Sequence, residues 1–171
     1  MDINEIFSDK ALKQKEKTEK ISQNIIDEKI SVNELLSFAN IAKDAEKGTC
    51  VEALEYASGK DPKIVNKKCF EFLVKNLTSK APRIKWECAK VIGNTVHMFK
   101  NELDEAIKNL LENTNYEGTV VRWSTAFALG EIIKLKTEYN KDLIPKINKI
   151  CETEEKNSIK KMYMDALKKI E

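Results

Sequence analysis

Glycine and proline are scarce in this chain of 171 residues, with 5 and 3 respectively. So few breakers mean few turns and long elements, and abundant Lys, Glu, Leu, Ile and Ala favour helix. Histidine occurs once, at His97, and the 4 cysteines, Cys50, Cys69, Cys88 and Cys151, form no CxxC pair. Zinc-ligand spacing is therefore absent, and the thiols read as small buried side chains. No metal and no cofactor is expected. Neither a Gly-rich phosphate loop nor HExxH nor GxSxG occurs, so enzyme chemistry has no foothold and no catalytic residue is assigned. No apolar run approaches the roughly 18–20 residues that span a bilayer. The opening MDINEIFSDK lacks the basic start and apolar block of a signal peptide. These absences point to a cytoplasmic protein without a membrane partner. Charge of one sign is missing too: 30 Lys+Arg face 28 Asp+Glu, a net charge of +2 that makes no case for a polyanion.

What the chain does have is a repeated segment. Ile84 to Asn94 reads IKWECAKVIGN, and Val121 to Glu131 reads VRWSTAFALGE. At an offset of 37, without a gap, Lys85 meets Arg122, Trp86 meets Trp123, Ala89 meets Ala126, Ile92 meets Leu129 and Gly93 meets Gly130. At an offset of 38 the apolar positions continue outward to Cys50, Ala53, Leu54 and Ala57, and to Ile159, Ala166, Leu167 and Ile170. A period in this range with helical spacing indicates stacked helix pairs. Between the copies lie stripes with the i, i+3, i+4 spacing of amphipathic helices, such as Leu103, Ala106, Ile107, Leu110 and Leu111.

First helices are expected near 33–44, 62–78, 102–114 and 141–153, and second helices near 46–58, 82–99, 119–136 and 157–170. Ser31 and Glu34 have capping-box spacing. Asp61–Pro62 reads as an N-cap with a first-turn proline, Pro82 as the opening of the Trp86 helix, and Pro145 as a first-turn residue. Residues 1–30 are expected to form an N-terminal helix, frayed at its polar start, whose Ile21, Ile25, Ile26 and Ile30 dock as a cap on a repeat domain of 31–171.

The paired segments resemble HEAT repeats, whose second helix carries a pattern of the form V-R-x-x-A-x-x-A-L-G. Here the matching positions are Val121, Arg122, Thr125, Ala128, Leu129 and Gly130, and before them Ile84, Lys85, Cys88, Val91, Ile92 and Gly93. The resemblance spans roughly 45–171 and is strongest over 82–136. It implies an all-α, right-handed α-α superhelix of about four HEAT-like, armadillo-type pairs with an N-terminal capping helix. The family's aspartate just before the V-R pair is missing from TSKAP and NYEGT, which removes the usual acceptor of an arginine ladder. Gly93 and Gly130 each cost about 1 kcal/mol of helix propensity relative to Ala. Close contact with an adjacent helix is the compensation expected.

Trp86 and Trp123 stand where the pattern is usually polar. HEAT second helices line the concave surface, which would place Trp86, Trp123 and Phe127 in a strip there. Arg83, Lys85, Lys90, Arg122 and Lys134 would surround it. Three readings compete. The rings pack on each other or on Phe99 and Tyr116 as structure. They anchor a protein or peptide with an acidic segment, making the chain a scaffold or adaptor. Or the same face holds nucleic acid, as in helical-repeat DNA glycosylases of the alkylation-repair type. No catalytic Trp–Asp pairing of that kind is found, and both monomer and homodimer remain open.

Overall fold

The computed structural model describes residues 2–170, and the described residues hold ten α-helices and no strand. They are α1 (Ile3–Ser8), α2 (Gln14–Ile26), α3 (Val32–Ile41), α4 (Asp44–Lys60), α5 (Lys67–Asn76), α6 (Pro82–Thr95), α7 (Asp104–Asn113), α8 (Thr119–Lys134), α9 (Asn140–Thr153) and α10 (Asn157–Lys168). Consecutive helices pair, and the pairs stack into an α-α solenoid. The even-numbered helices α2, α4, α6, α8 and α10 form one row in which each lies closely against the next. The odd-numbered helices touch their own partners and meet one another only sparsely. A stack that is tight along one row and loose along the other must curve, with the tight row inside. The even helices therefore line the concave face.

Small side chains make that tight row possible. Cys50, Ala53, Ala57, Cys88, Ala89, Thr125, Ala126, Ala128 and Ala166 are all buried at the repeat positions. A Cβ placed on Gly130 would sit 3.1 Å from the Ala166 Cβ of the next helix. One placed on Gly93 would collide with the Phe127 ring. Both glycines thus meet the following helix, Gly130 through the small Ala166 side chain and Gly93 through the Phe127 ring, rather than through the neighbour's backbone. Larger residues fill the space between the rows: Leu54, Leu73, Leu77, Ile84, Ile92, Leu103, Leu110 and Leu129 are almost wholly enclosed. A middle helix such as α8 has neighbours on three sides, so it is apolar nearly all round. Beyond its first residues, Thr119 and Val120, and the half-buried Arg122, solvent reaches it along a stripe through Trp123, Phe127, Glu131 and Lys134.

Three local expectations change. The polar N-terminus is two helices, not one frayed helix. The Asp2 carboxylate accepts from the Glu5 N–H at 2.9 Å, and the Glu5 carboxylate accepts from the Asp2 N–H at 2.7 Å. This reciprocal cap closes the short α1, which buries Ile3 and Ile6 and stacks Phe7 on Phe38 at 4.7 Å. Helix α2 then joins the inner row against α4. At Asp61–Pro62 the capped element is a single 3-10 turn, Pro62–Ile64, and Asn66 restarts the helix by accepting from the Cys69 N–H at 2.9 Å. Finally, α9 begins at Asn140, so Pro145 lies inside the helix and beyond its first turn. The Ser31–Glu34 capping box and the Pro82 start are present as read from the sequence.

Candidate functional site

The cations of the repeated motif act first as ties between layers. The Lys85 ammonium donates to the Leu77 carbonyl at 3.0 Å and to Asn113 Oδ1 at 2.7 Å, and it lies 5.4 Å from the Tyr116 ring centre. The Arg122 guanidinium donates to the Tyr116 and Glu117 carbonyls at 2.9 and 3.0 Å, and to the Glu154 carboxylate through Nε at 3.0 Å and Nη2 at 3.3 Å. The two residues do the same job. Each binds the loop before its own helix to the end of the next pair's first helix, Asn113 closing α7 and Glu154 following α9. The ladder whose aspartate was missing therefore exists, with acceptors further along the chain. Burial lowers the Lys85 pKa. Burial raises that of Glu154, but the Arg122 hydrogen bonds outweigh it and hold the carboxyl below its ordinary value.

The other cations are engaged as well. Arg83 donates to Glu52 at 2.6 Å, and Glu52 also accepts from the Thr18 hydroxyl at 3.0 Å, so α6, α4 and α2 are linked. The Arg83 stem lies over Gly48, where a Cβ would come within 3.2 Å of it. Lys90 pairs with Glu87 at 3.1 Å and Glu55 at 3.4 Å. Burial opposes the Lys90 charge, yet the two carboxylates prevail and raise its pKa. Lys134 pairs with Glu131 one turn back.

The two tryptophans part company. Trp86 is half-buried, and its indole N–H donates at 2.7 Å to Glu87, a carboxylate only 4% exposed. Trp123 is 40% exposed, and its indole N–H has no partner among the described residues. Its ring runs nearly parallel to that of Phe127 with centres 6.3 Å apart. Val120, one turn earlier, is 51% exposed. Phe99 and Tyr116 do not cover either indole: Phe99 stacks on Phe70 at 4.1 Å, and Tyr116 faces Lys85. The eight residues singled out in the sequence thus divide. Trp123 and Phe127 form an open aromatic step, whereas Trp86, Arg83, Lys85, Lys90, Arg122 and Lys134 are held by internal hydrogen bonds.

Beside the step, between α8 and α10, runs a cleft in two parts. One of about 430 Å³ is lined by Thr119, Val120, Trp123, Lys156, Ser158 and Ile159. The other, of about 320 Å³, continues past Ser158 along Phe127, Gly130 and Lys134 on one wall and Lys161, Asp165 and Lys169 on the other. The sequence reading missed Val120 and the α10 lysines. The 38-residue offset that places Lys161 opposite Trp123 was the available signal.

Away from the cleft, the described cysteines are not activated. Burial pushes the Cys50 and Cys69 thiols up to about 12 and Cys88 well above its ordinary value, and it raises the pKa of Cys151 too, so none is a ready thiolate. His97 is exposed in the 3-10 turn after α6. Among the described residues, no group of three or more His, Cys, Asp or Glu could hold a metal ion, and no helix is long and apolar enough to cross a membrane.

No protein-family model matches the sequence, and no curated protein matches it either. Solved structures do match the fold. A designed armadillo repeat protein in complex with the peptide (KR)4 superposes with a TM-score of 0.76 at 15% identity, over 99% of this chain and 80% of that one. An engineered protein gives the same TM-score at 19% identity, over 98% and 77%. The complex of CpcE and CpcF of phycocyanin lyase from Nostoc sp. PCC7120 gives 0.74 at 14% identity, over 96% and 97%. The fold is that of the armadillo/HEAT-type helical repeats.

Proposed function

We propose that this helical-repeat array is a non-catalytic scaffold that binds a peptide or helix of another protein on its concave face. Residues 1–30 would serve as its cap and 31–171 as the repeat domain. The observation that carries this reading is the open step of Trp123 and Phe127 beside Val120, above a cleft long enough for several residues of a partner. Large aromatics that keep an exposed face on a rigid element are the side chains that anchor such contacts. A designed armadillo protein of the same fold holds a peptide, which supports the class of partner. Trp86, Arg83, Lys85, Lys90, Arg122 and Lys134 would keep the wall rigid rather than touch the partner. The ion pairs of Arg83, Lys90, Arg122 and Lys134 also weigh against phosphate binding by these four cations, because a phosphate would have to displace carboxylates already in place.

Peptides selected from a randomised display library on the immobilised wild-type protein, then titrated by calorimetry, test the proposal. Trp123→Ala should weaken the selected peptides about thirtyfold, in line with loss of a hot spot of about 2 kcal/mol. Failure to select any peptide, or equal affinity for the variant, would sink it.

A further inference from the structure

The charge on the concave face is not evenly satisfied along the array. In the half built by α4 and α6, Arg83 and Lys90 are matched by Glu52, Glu55 and Glu87. In the half built by α8 and α10, Lys134 is matched by Glu131, but the ammonium groups of Lys156, Lys161 and Lys169 have no bonded partner among the described residues. All three line the cleft beside Trp123 and Phe127. Asp165 lies between Lys161 and Lys169 and forms no ion pair with either. Counting both parts of the cleft, four lysines face the two carboxylates of Glu131 and Asp165.

Geometry decides what could satisfy these charges together with the aromatic step. From Lys156 to Lys169 the α10 wall runs about 20 Å at about 1.5 Å per residue. An extended segment of about six residues covers that length at about 3.3 Å per residue. Its apolar anchor would meet Trp123 and Phe127, and carboxylates on either side of the anchor would reach the lysines. Exposed lysines on one side of a groove choose partners by sign and speed encounter more than they add affinity. We infer, building on the scaffold reading above, that the α8–α10 cleft selects an extended acidic segment carrying one aromatic or aliphatic anchor. The designed armadillo neighbour was solved with a basic peptide, (KR)4. This cleft would have the opposite preference.

The test compares library selections on the folded wild-type protein and on the triple variant Lys156→Glu, Lys161→Glu, Lys169→Glu. Three exposed positions are changed, so both proteins should show the same helical circular dichroism. Peptides about twelve residues long give the segment room to find its register. Wild type should enrich Asp and Glu around an aromatic or aliphatic residue. The triple variant should lose those peptides at least tenfold in affinity and enrich Lys and Arg instead. Wild-type peptides without excess acid, or an unchanged profile on the triple variant, would overturn this inference. If such peptides still depended on Trp123, the scaffold reading would stand while the acidic preference fell. If no selected peptide depended on Trp123, both would fall. Tighter binding of a single-stranded oligonucleotide than of any acidic peptide would also overturn it.

Discussion

Trp86 and Trp123 occupy the same position in two copies of one motif, 37 residues apart, and yet one is tied down and the other is open. The residue that follows each is part of the reason. After Trp86 comes Glu87, a buried carboxylate that accepts the indole N–H; after Trp123 comes Ser124, whose hydroxyl bonds back to the Val120 carbonyl of its own helix. The residue four positions on is the other part. Lys90 joins Glu87 and Glu55 in an ion-pair cluster, whereas Phe127 presents a ring that leans over Gly93 of the earlier copy. Repetition here preserves the buried frame, where Ala89 matches Ala126 and Ile92 matches Leu129, and leaves the concave surface free to differ. A binding step can then sit on one layer while the equivalent layer supplies rigidity.

The largest test of this contrast is to remove the ties that the copies share. Arg122→Ala leaves the Glu154 carboxylate, whose side chain is only 5% exposed, without its partner and frees two carbonyls. It should cost about 3 kcal/mol in urea unfolding. Lys85→Ala removes a neutral-acceptor tie and should cost about 1 kcal/mol. Equal losses would mean that the two ties do not differ as drawn.

A second test uses the contact between the copies. Gly93→Ala drives a methyl into the Phe127 ring and should destabilise by about 1 kcal/mol, helix propensity offsetting part of the overpacking. In a Phe127→Ala background the same change should stabilise by about 0.5–1 kcal/mol. A double-mutant cycle without that reversal would contradict the placement of Phe127 over Gly93.

How much of this was legible in the sequence follows from what carries each feature. The stack was legible because buried positions recur at a fixed offset, and Gly93 and Gly130 flagged close approach before any contact was seen. Helix α1 was not legible, since six residues are too few to show a period and its cap rests on a reciprocal Asp2–Glu5 bond. The acceptors Asn113 and Glu154 were hidden because they lie 28 and 32 residues from their cations, a distance set by the stacking itself. The difference between the tryptophans was hidden for a related reason. It depends on Glu55 of the preceding layer and on the open cleft between α8 and α10 as much as on their own neighbours.

Acid offers a smaller test. The Glu154 carboxyl is held below its ordinary value, so its pairing with Arg122 stabilises the fold above the unfolded carboxyl pKa. That contribution is lost as pH falls through the lowered folded value. Glu154→Gln should therefore narrow the gap in thermal midpoint between pH 7 and pH 3. An unchanged gap would mean that the pair carries no pH-linked stability. The smallest effect on stability is expected at the open step: Trp123→Ala should cost no more than about 1 kcal/mol, because much of the ring already faces water.

The most direct measurement is acrylamide quenching of tryptophan fluorescence in two single-tryptophan proteins. Trp86→Phe leaves Trp123 as reporter, and Trp123→Phe leaves Trp86. Trp123 should emit further to the red and be quenched several times more readily than Trp86. Equal quenching, or a protected Trp123 beside an open Trp86, would contradict the assignment of the open step to α8.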